Sequence, residues 1–364
     1  SVDELVMKQP LWFTNVATAA DDVALIAFTS GTTGKPKGTI HFHRDVVAMC
    51  DCFPRSILQA GKDDIFCGTP PLAFTFGLGG LLCFPMRIGA SSVLVEKHTP
   101  ETLLDTIQRF KATVCFAAPV MYRGMAAIAD RFDLGSLRKC VSAGEALPDA
   151  TRQAFKQASG IEIIDGIGST EMIHIFISHT PERVRRGATG YAIPGYRAAV
   201  LDEDGRRCAP GKVGRLAVKG PTGCRYLADD RQANYVRNGW NITGDAYMVD
   251  SDGYFFYQAR TDDMIISAGY NIAGPEVEGA LLQHPAVAEC GVIGWPDEDR
   301  GTIVKAFVVL KPGNSRGDQT ARQLQEHVKK VIAPYKYPRA IEFVDALPRT
   351  ETGKLQRFKL RKPA

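Results

Sequence analysis

A chain of 364 residues is too long for one small core and points to two or more domains. Its 45% hydrophobic and 23% charged residues have the balance of a soluble globular protein, and the absence of low-complexity tracts or repeats excludes disordered and solenoid architectures. A net charge of +4 is too small to imply nucleic acid, and much of it sits in Pro348–Ala364, where six Lys/Arg meet one Glu.

Nine cysteines are present, but Cys50 and Cys52 form a lone C-x-C and no C-x-x-C pair suggests zinc or a redox centre. Scattered among apolar neighbours, they fit reduced core residues of a cytoplasmic enzyme. The longest apolar run, Ala73–Pro85, is broken by three glycines and is too short to span a bilayer.

From Ala24 to Gly168 apolar runs alternate with helix-length segments. ALIAFT (24–29), DIFCGT (64–69), SSVLVE (91–96), TVCFAA (113–118), KCVSAG (139–144) and IEIIDG (161–166) read as buried strands. Between them, Pro100–Phe110 and Pro148–Ala158 open with Pro and an acidic first turn, a helix-start signal. Such alternation predicts an α/β fold with a parallel sheet covered on both faces, with ligands gathered at the carboxyl ends of its strands. Beyond about Pro194, AAVLDEDGRR, GRLAVKG and YMVDSDGYFFY predict a β-rich region with two Asp-Gly turns. After Arg260 come a helix over 275–284, strands near 286–293 and 304–310, and a helix over 321–332, which together predict a small α+β domain.

Five segments carry candidate chemistry. Thr29–Gly38 (TSGTTGKPKG) follows the first strand and combines hydroxyls, glycines and two lysines, the donors a polyphosphate needs. It is not a Walker A loop, because only two residues separate Gly31 from Gly34 and Pro36 follows Lys35. Asp165–His174 (DGIGSTEMIH) has glycines on which a flat base can lie, and Thr170 with Glu171 offers oxygen ligands to a magnesium ion. Thr243–Asp245 (TGD) places a carboxylate where ribose hydroxyls can donate to it. Arg260–Ile272 pairs a base with acids at the expected boundary, and Thr352–Lys354 ends the chain's chemistry with a lysine. Taken singly, each of these also reads as a polar loop or a solvated face.

In this order, TSGTTGKPKG, SAGEALP, DGIGSTEM, TGD, YQARTDDMIISAGYNIAGPEVE, YKYPR and TGKLQR resemble the adenylate-forming superfamily of acyl-CoA synthetases, luciferases and peptide-synthetase adenylation domains. The resemblance implies a large AMP-binding domain over 1–260, a small mobile domain over 263–364 and a hinge at 261–262, with Asp262 similar to the hinge residue. It implies that Thr29, Ser30, Gly31, Thr32, Thr33 and Lys37 hold the ATP phosphates. Gly144, Glu145 and Ala146, with Asp165, Gly166 and Ile167, would line the adenine pocket. Thr170 would contact phosphate, Glu171 would hold Mg2+, and Asp245 with Arg260 would take the ribose. Lys354 resembles the lysine that serves adenylation, while Gly269 and Tyr270 lie in the segment that later faces coenzyme A.

DGIGSTEMIHIFIS is most similar to benzoate- and 2-aminobenzoate-CoA ligases, and PPLAFTFGLGG carries phenylalanines where fatty-acyl relatives carry a histidine. An aromatic acid is therefore expected among Phe76, Ala143, Gly168, His174 and Ile175. The expected substrates are that acid, ATP and coenzyme A, without nucleic acid or a membrane span, and with a homodimer as one assembly the sequence allows. Two alternatives stand beside it: transfer to a carrier-protein pantetheine, or a nucleotide-binding fragment without turnover. Family members are longer, and the part expected before the phosphate loop is largely missing from this sequence.

Overall fold

The computed structural model describes residues 2–29, 36–267, 270–298, 301–350 and 354–361. Val23–Phe28 (β1) and Gly38–Phe42 (β2) form a two-stranded antiparallel hairpin. This corrects the expectation that ALIAFT belongs to the parallel sheet. Only Thr29–Lys37 joins the two strands, and a connection that short returns the chain antiparallel, whereas a parallel neighbour needs a crossover of a dozen residues or more. Alternate residues Ile26 and Phe28 of β1 are exposed, as are Leu11, Trp12 and Phe13 before it.

The principal sheet contains Ile65–Gly68 (β3), Ser91–Leu94 (β4), Val114–Ala117 (β5), Lys139–Ser142 (β6), Ile163–Gly168 (β7), Ile175–Ser178 (β8) and Tyr191–Ala192 (β9), in spatial order β4-β3-β5-β6-β7-β8-β9. The first five are parallel; β8 and β9 add on antiparallel. Side-chain alternation divides its core between two faces. Phe66, Val114, Phe116 and Val141 pack with Phe53 and Phe84 on one side, while Cys67, Cys115 and Cys140 pack with Leu103, Leu104, Ile107, Tyr122 and Phe155 on the other. The helices Pro100–Phe110 and Asp149–Ser159 cover this second face. The first starts as its sequence dictates: Pro100 follows Thr99, whose hydroxyl accepts from the Thr102 amide at 3.2 Å.

A five-stranded β-rich unit follows, made of Arg197–Leu201 (β10), Val213–Lys219 (β11), Val236–Arg237 (β12), Trp240–Val249 (β13) and Phe255–Arg260 (β14). Asp-Gly turns lie at Asp204–Gly205 and Asp252–Gly253, the latter joining β13 to β14. Beyond the turn Thr261–Asp263, Ile265–Ser267 (β15) pairs with Tyr270–Ile272 (β16). Val287–Asp297 (β17), Gly301–Leu310 (β18) and Ala340–Phe343 (β19) form a last sheet, β19 running parallel to β18. Helices Gly274–Leu281 and Asp318–Val331 share its core through Val277, Leu281, Leu324 and Val328. The fold is thus α/β with a covered, largely parallel sheet, a β-rich unit and a smaller α+β unit.

Leu104 is fully buried on the helix Pro100–Phe110, whereas its neighbour Asp105 is half-exposed in an i,i+4 pair with Arg109 at 3.8 Å. Leu104→Ala is expected to cost about 2–5 kcal/mol through lost transfer energy and a cavity. Asp105→Ala is expected to cost about 0.5 kcal/mol or less. Urea unfolding followed by circular dichroism measures both.

Candidate functional site

The neck of the β1–β2 loop is held by two bonds: the Thr29 amide donates to the Lys37 carbonyl at 2.9 Å, and the Lys37 amide donates to the Thr29 hydroxyl at 3.2 Å. Lys37 then reaches inward. Its ammonium donates to the Tyr226 hydroxyl at 2.8 Å and lies 3.7 Å from Glu171 Oε1 and 4.6 Å from the centre of the Tyr226 ring. Tyr226 in turn donates to Glu171 Oε1 at 2.6 Å, and burial with that carboxylate beside it pushes its phenol well up. Tyr235 closes the cluster, its ring 5.7 Å from that of Tyr226.

Thr170 and Glu171 belong to a single 3-10 turn, Thr170–Met172, at the end of β7, where the Ser169 hydroxyl accepts from the Met172 amide. The turn ends at Ile173, fully buried at φ +64°. A β-branched residue in the left-handed region is strained, and such strain collects at working sites. His41 pins the turn from below. Burial lowers its pKa, so the ring is neutral and its Nε2 donates to the Thr170 carbonyl at 2.8 Å. One oxygen of Glu171 is held by Tyr226, which leaves the other for a cation. Among the described residues no three His, Cys, Asp or Glu gather as a metal cage. Such a donor set fits Mg2+, which takes one or two carboxylates and fills its shell with water and substrate phosphate.

On the β-rich unit, register sets Asp245 of β13 opposite Arg260 of β14, with Nη1 3.3 Å from Oδ1. The Asp245 amide donates to Thr243 Oγ1 at 3.3 Å. Burial raises the Asp245 pKa, and Arg260 opposes that rise. Lys354 comes to the same cleft from the far end of the chain. A hairpin closed by the Thr350 amide donating to the Lys354 carbonyl at 2.8 Å presents it, and its Cε would lie 3.5 Å from a Cβ built on Gly144. Gly144 sits at φ +94°, so a side chain there would be strained as well as crowded. Lys354 remains open to solvent along the cleft. The surrounding protein still removes enough water to lower its pKa, against the opposing pull of Glu145, Asp245 and Glu171.

Asp165 is the last residue of β7 to pair with β6, with a buried Oδ1 that meets no hydrogen-bond partner, and burial pushes its carboxyl up to about 7. Beside it, β7 and β8 bring Gly168 opposite Ile175, and a Cβ on Gly168 would strike the His174 carbonyl at 2.6 Å. His174 is buried in an aromatic box, with ring centres 4.6 Å from Phe84, 5.8 Å from Phe76 and 5.8 Å from Phe53. Gly79 makes the box possible, because a Cβ there would lie 2.4 Å from the His174 ring. Burial pushes the imidazole down to about 3, so it is neutral at any physiological pH. Phe76 also lies 5.5 Å from Phe116, which extends the wall.

A family model for AMP-binding enzymes matches residues 4–226, and one for the AMP-binding enzyme C-terminal domain matches residues 276–354. The chain belongs to the AMP-binding enzyme family. Among curated relatives, it is 41% identical to a benzoate–CoA ligase of Thauera aromatica, over 96% of this chain and 67% of that protein. It is 38% identical to a 4-hydroxybenzoate–CoA/benzoate–CoA ligase of Rhodopseudomonas palustris, over 95% of this chain and 65% of that protein. The chain thus spans about two thirds of these relatives' length. Among solved structures, it superposes on an anthranilate CoA ligase in complex with anthranoyl-AMP with a TM-score of 0.93, at 40% identity over 99% of this chain and 71% of that one. A benzoate CoA ligase from Burkholderia xenovorans gives a TM-score of 0.90 at 36% identity, over 99% of this chain and 73% of the other.

In this AMP-binding enzyme, Glu145, Glu171, Asp245, Arg260 and Lys354 share one cleft, and Lys37 joins them through Glu171. Phe76, Gly168, His174 and Ile175 form a second group along β7 and β8, while Ala143 is buried beside Gly144 at the end of β6. Gly166 packs against Ile175, and Ile167 and Ala146 lie on the same two strand ends. Tyr270 is placed elsewhere: its ring meets that of Tyr335 of the smaller unit at 4.6 Å, tilted by 32°. Ser30, Gly31, Thr32, Thr33, Gly269 and the side chain of Asp262 lie outside the described residues. Sequence reasoning missed Tyr226, His41, Gly79, Phe84 and Arg349. No local spacing marks them, because each acquires its role from a residue distant in the chain.

Asp165 generates a pH-dependent prediction. A folded carboxyl at about 7, against an ordinary value near 4, means the folded state binds more protons than the unfolded. Its contribution to stability is therefore lost as pH rises from about 4 through 7. Asp165→Asn should raise the melting temperature of the free enzyme relative to wild type at pH 8 and leave little difference at pH 4. Differential scanning calorimetry across that range checks the sign.

Proposed function

We propose that this AMP-binding enzyme activates an aromatic carboxylic acid of the benzoate or 2-aminobenzoate class with ATP and transfers the acyl group to coenzyme A. The observation that carries the reading is the seat of Lys354, brought from the end of the chain to Gly144 among Glu145, Asp245 and Glu171. The benzoate and anthranilate CoA ligases among its relatives support the acid class.

In the first step the acid's carboxylate oxygen attacks the ATP α-phosphorus, forming the acyl-adenylate and expelling pyrophosphate. Two anions must meet, and negative charge grows on the phosphoryl oxygens in the transition state. Lys354 supplies a partly desolvated cation there, where electrostatic stabilisation is strongest. Neutral His174 and the rings of Phe76, Phe84 and Phe116 offer the acid an apolar wall without a charge to hold its carboxylate, so the carboxylate turns toward Lys354. Asp245 and Arg260 take the ribose hydroxyls, and the backbone of 144–146 and 165–167 takes the adenine. Lys37 and Thr170 hold phosphate oxygens. Glu171 would hold Mg2+, whose charge would offset that of the phosphate oxygens. In the second step the coenzyme A sulfur attacks the acyl carbon and expels AMP.

We divide the chain for these steps into units over 1–260 and 263–364 that turn about 261–262, so that Lys354 withdraws and Tyr270 with Gly269 approaches the thiol. All nine cysteines are free, which suits a cytoplasmic enzyme. No helix among the described residues is long and apolar enough to cross a membrane.

A pyrophosphate-release screen over benzoate, aminobenzoates, hydroxybenzoates, phenylacetate and short fatty acids tests the acid class; release with fatty acids alone would overturn it. Lys354→Ala should slow adenylation about a hundredfold or more while sparing thioester formation from a supplied acyl-adenylate. Equal loss of both steps would remove the role assigned to Lys354. Phe76→Ala should lower kcat/KM for aromatic acids about tenfold and leave short aliphatic acids nearly unchanged. An equal effect on both classes would sink the wall.

A further inference from the structure

Lys354 lies opposite Thr350 on the returning leg of a hairpin whose two legs are bridged at Arg349 and Leu355. The smaller unit grips this hairpin from one side. Leu355 fills the space over Gly291, where a Cβ would come within 2.9 Å of it, and Arg349 Nη2 donates to Glu289 Oε2 at 2.8 Å. From the other side a single carboxylate of the larger unit reaches both legs. Glu145 Oε1 accepts from the Leu355 amide at 2.8 Å and lies 3.5 Å from Arg349 Nη1. Glu145 follows Gly144, the residue over which Lys354 rests, so the acceptor and the surface for the lysine share one turn of backbone. A further bond between the two units runs from Arg123 Nη2 to the Val287 carbonyl at 3.2 Å.

We propose that the Glu145 side chain is a positioning residue, a latch that holds the Lys354 hairpin in the adenylating arrangement and lets go for the thioester step. The inference rests on the two-step reading above. Both of its contacts are to residues that travel with the smaller unit, and both are lost if that unit turns away. A contact made in only one of two arrangements biases the equilibrium toward that arrangement by its own free energy. Removing it therefore penalises the step that needs Lys354 more than the step that does not. Glu145 also lies in the segment assigned to adenine, so an empty nucleotide pocket and a loosened latch involve the same turn.

Single-turnover kinetics of the two half-reactions, together with hydrogen exchange of the ligand-free enzyme, tests this. In Glu145→Ala, acid-dependent pyrophosphate release should fall about tenfold, in the range typical of coupling between two arrangements. Thioester formation from a supplied acyl-adenylate should fall several-fold less than pyrophosphate release, so that the ratio of the two rates shifts toward the thioester step. Glu145→Gln keeps an oxygen for the Leu355 amide but loses the charge toward Arg349, and should fall between the two. Peptides covering 347–360 should exchange faster in Glu145→Ala while those of β5 and β6 do not change. Equal loss in both half-reactions, or unchanged exchange over 347–360, would overturn the latch. A wild-type enzyme that releases no pyrophosphate with any acid would defeat the two-step reading instead, and the exchange experiment would still decide whether Glu145 holds the hairpin.

Discussion

The structure depends on keeping opposite charges close together in a cleft that is only partly wet. Lys37 with Glu171, Arg260 with Asp245, and Arg349 with Glu145 each pair a cation with a carboxylate from another element, and Lys354 feels the field of all three carboxylates. Alone in such a place, each group would pay heavily for lost hydration. Paired, they keep the cleft charged without an intervening ligand. A polyphosphate and a carboxylate entering it would replace protein carboxylates as partners of the same cations. The electrostatics are thus arranged in advance of the substrates, which is where catalytic preorganisation comes from.

The backbone supplies the precision. Parallel strands end together, so Ala143–Ala146 after β6 and Asp165–Thr170 at the end of β7 lie side by side. Antiparallel β8 then folds back along β7 and carries His174 and Ile175 to the same edge. The surfaces proposed for nucleotide and acid therefore share one sheet edge, and strained Ile173 lies between Glu171 on one and His174 on the other. A rigid edge of this kind places side chains better than a long loop does. Tyr226 adds a cross-link from the β-rich side: the bonds from the Ile40 amide to the Arg225 carbonyl and from the Leu227 amide to the Gly38 carbonyl zip its segment onto β2.

Much of this was legible because the segments that carry chemistry are short and their residue types have few other uses together. The helix Pro100–Phe110 could be read from Pro and amphipathic spacing alone, and the Asp-Gly turns from their dipeptides. The hairpin of β1 and β2 was not, since an apolar run shows no partner and ALIAFT looks the same in either kind of sheet. Nor was Tyr226 legible: its neighbours Lys37 and Glu171 lie 189 and 55 positions away. The aromatic box was half legible. Phe76 and His174 stood out by type, but Gly79, Phe84 and Phe53 matter only through the shape they leave around an imidazole.

The neutral state of His174 and the placement of Lys354 are two sides of one constraint. A cation fixed inside the apolar wall would bind the acid's carboxylate in the ground state and hold it as firmly before reaction as during it, which accelerates nothing. Burying an uncharged ring there removes that trap and leaves orientation to shape. The cation then has to come from outside the wall, and in the proposed two-step cycle a hairpin of the smaller unit brings it and takes it away. On the proposed reading, separating the surface that recognises the acid from the charge that activates it would allow one pocket to serve both steps, because only the charge would have to move between them.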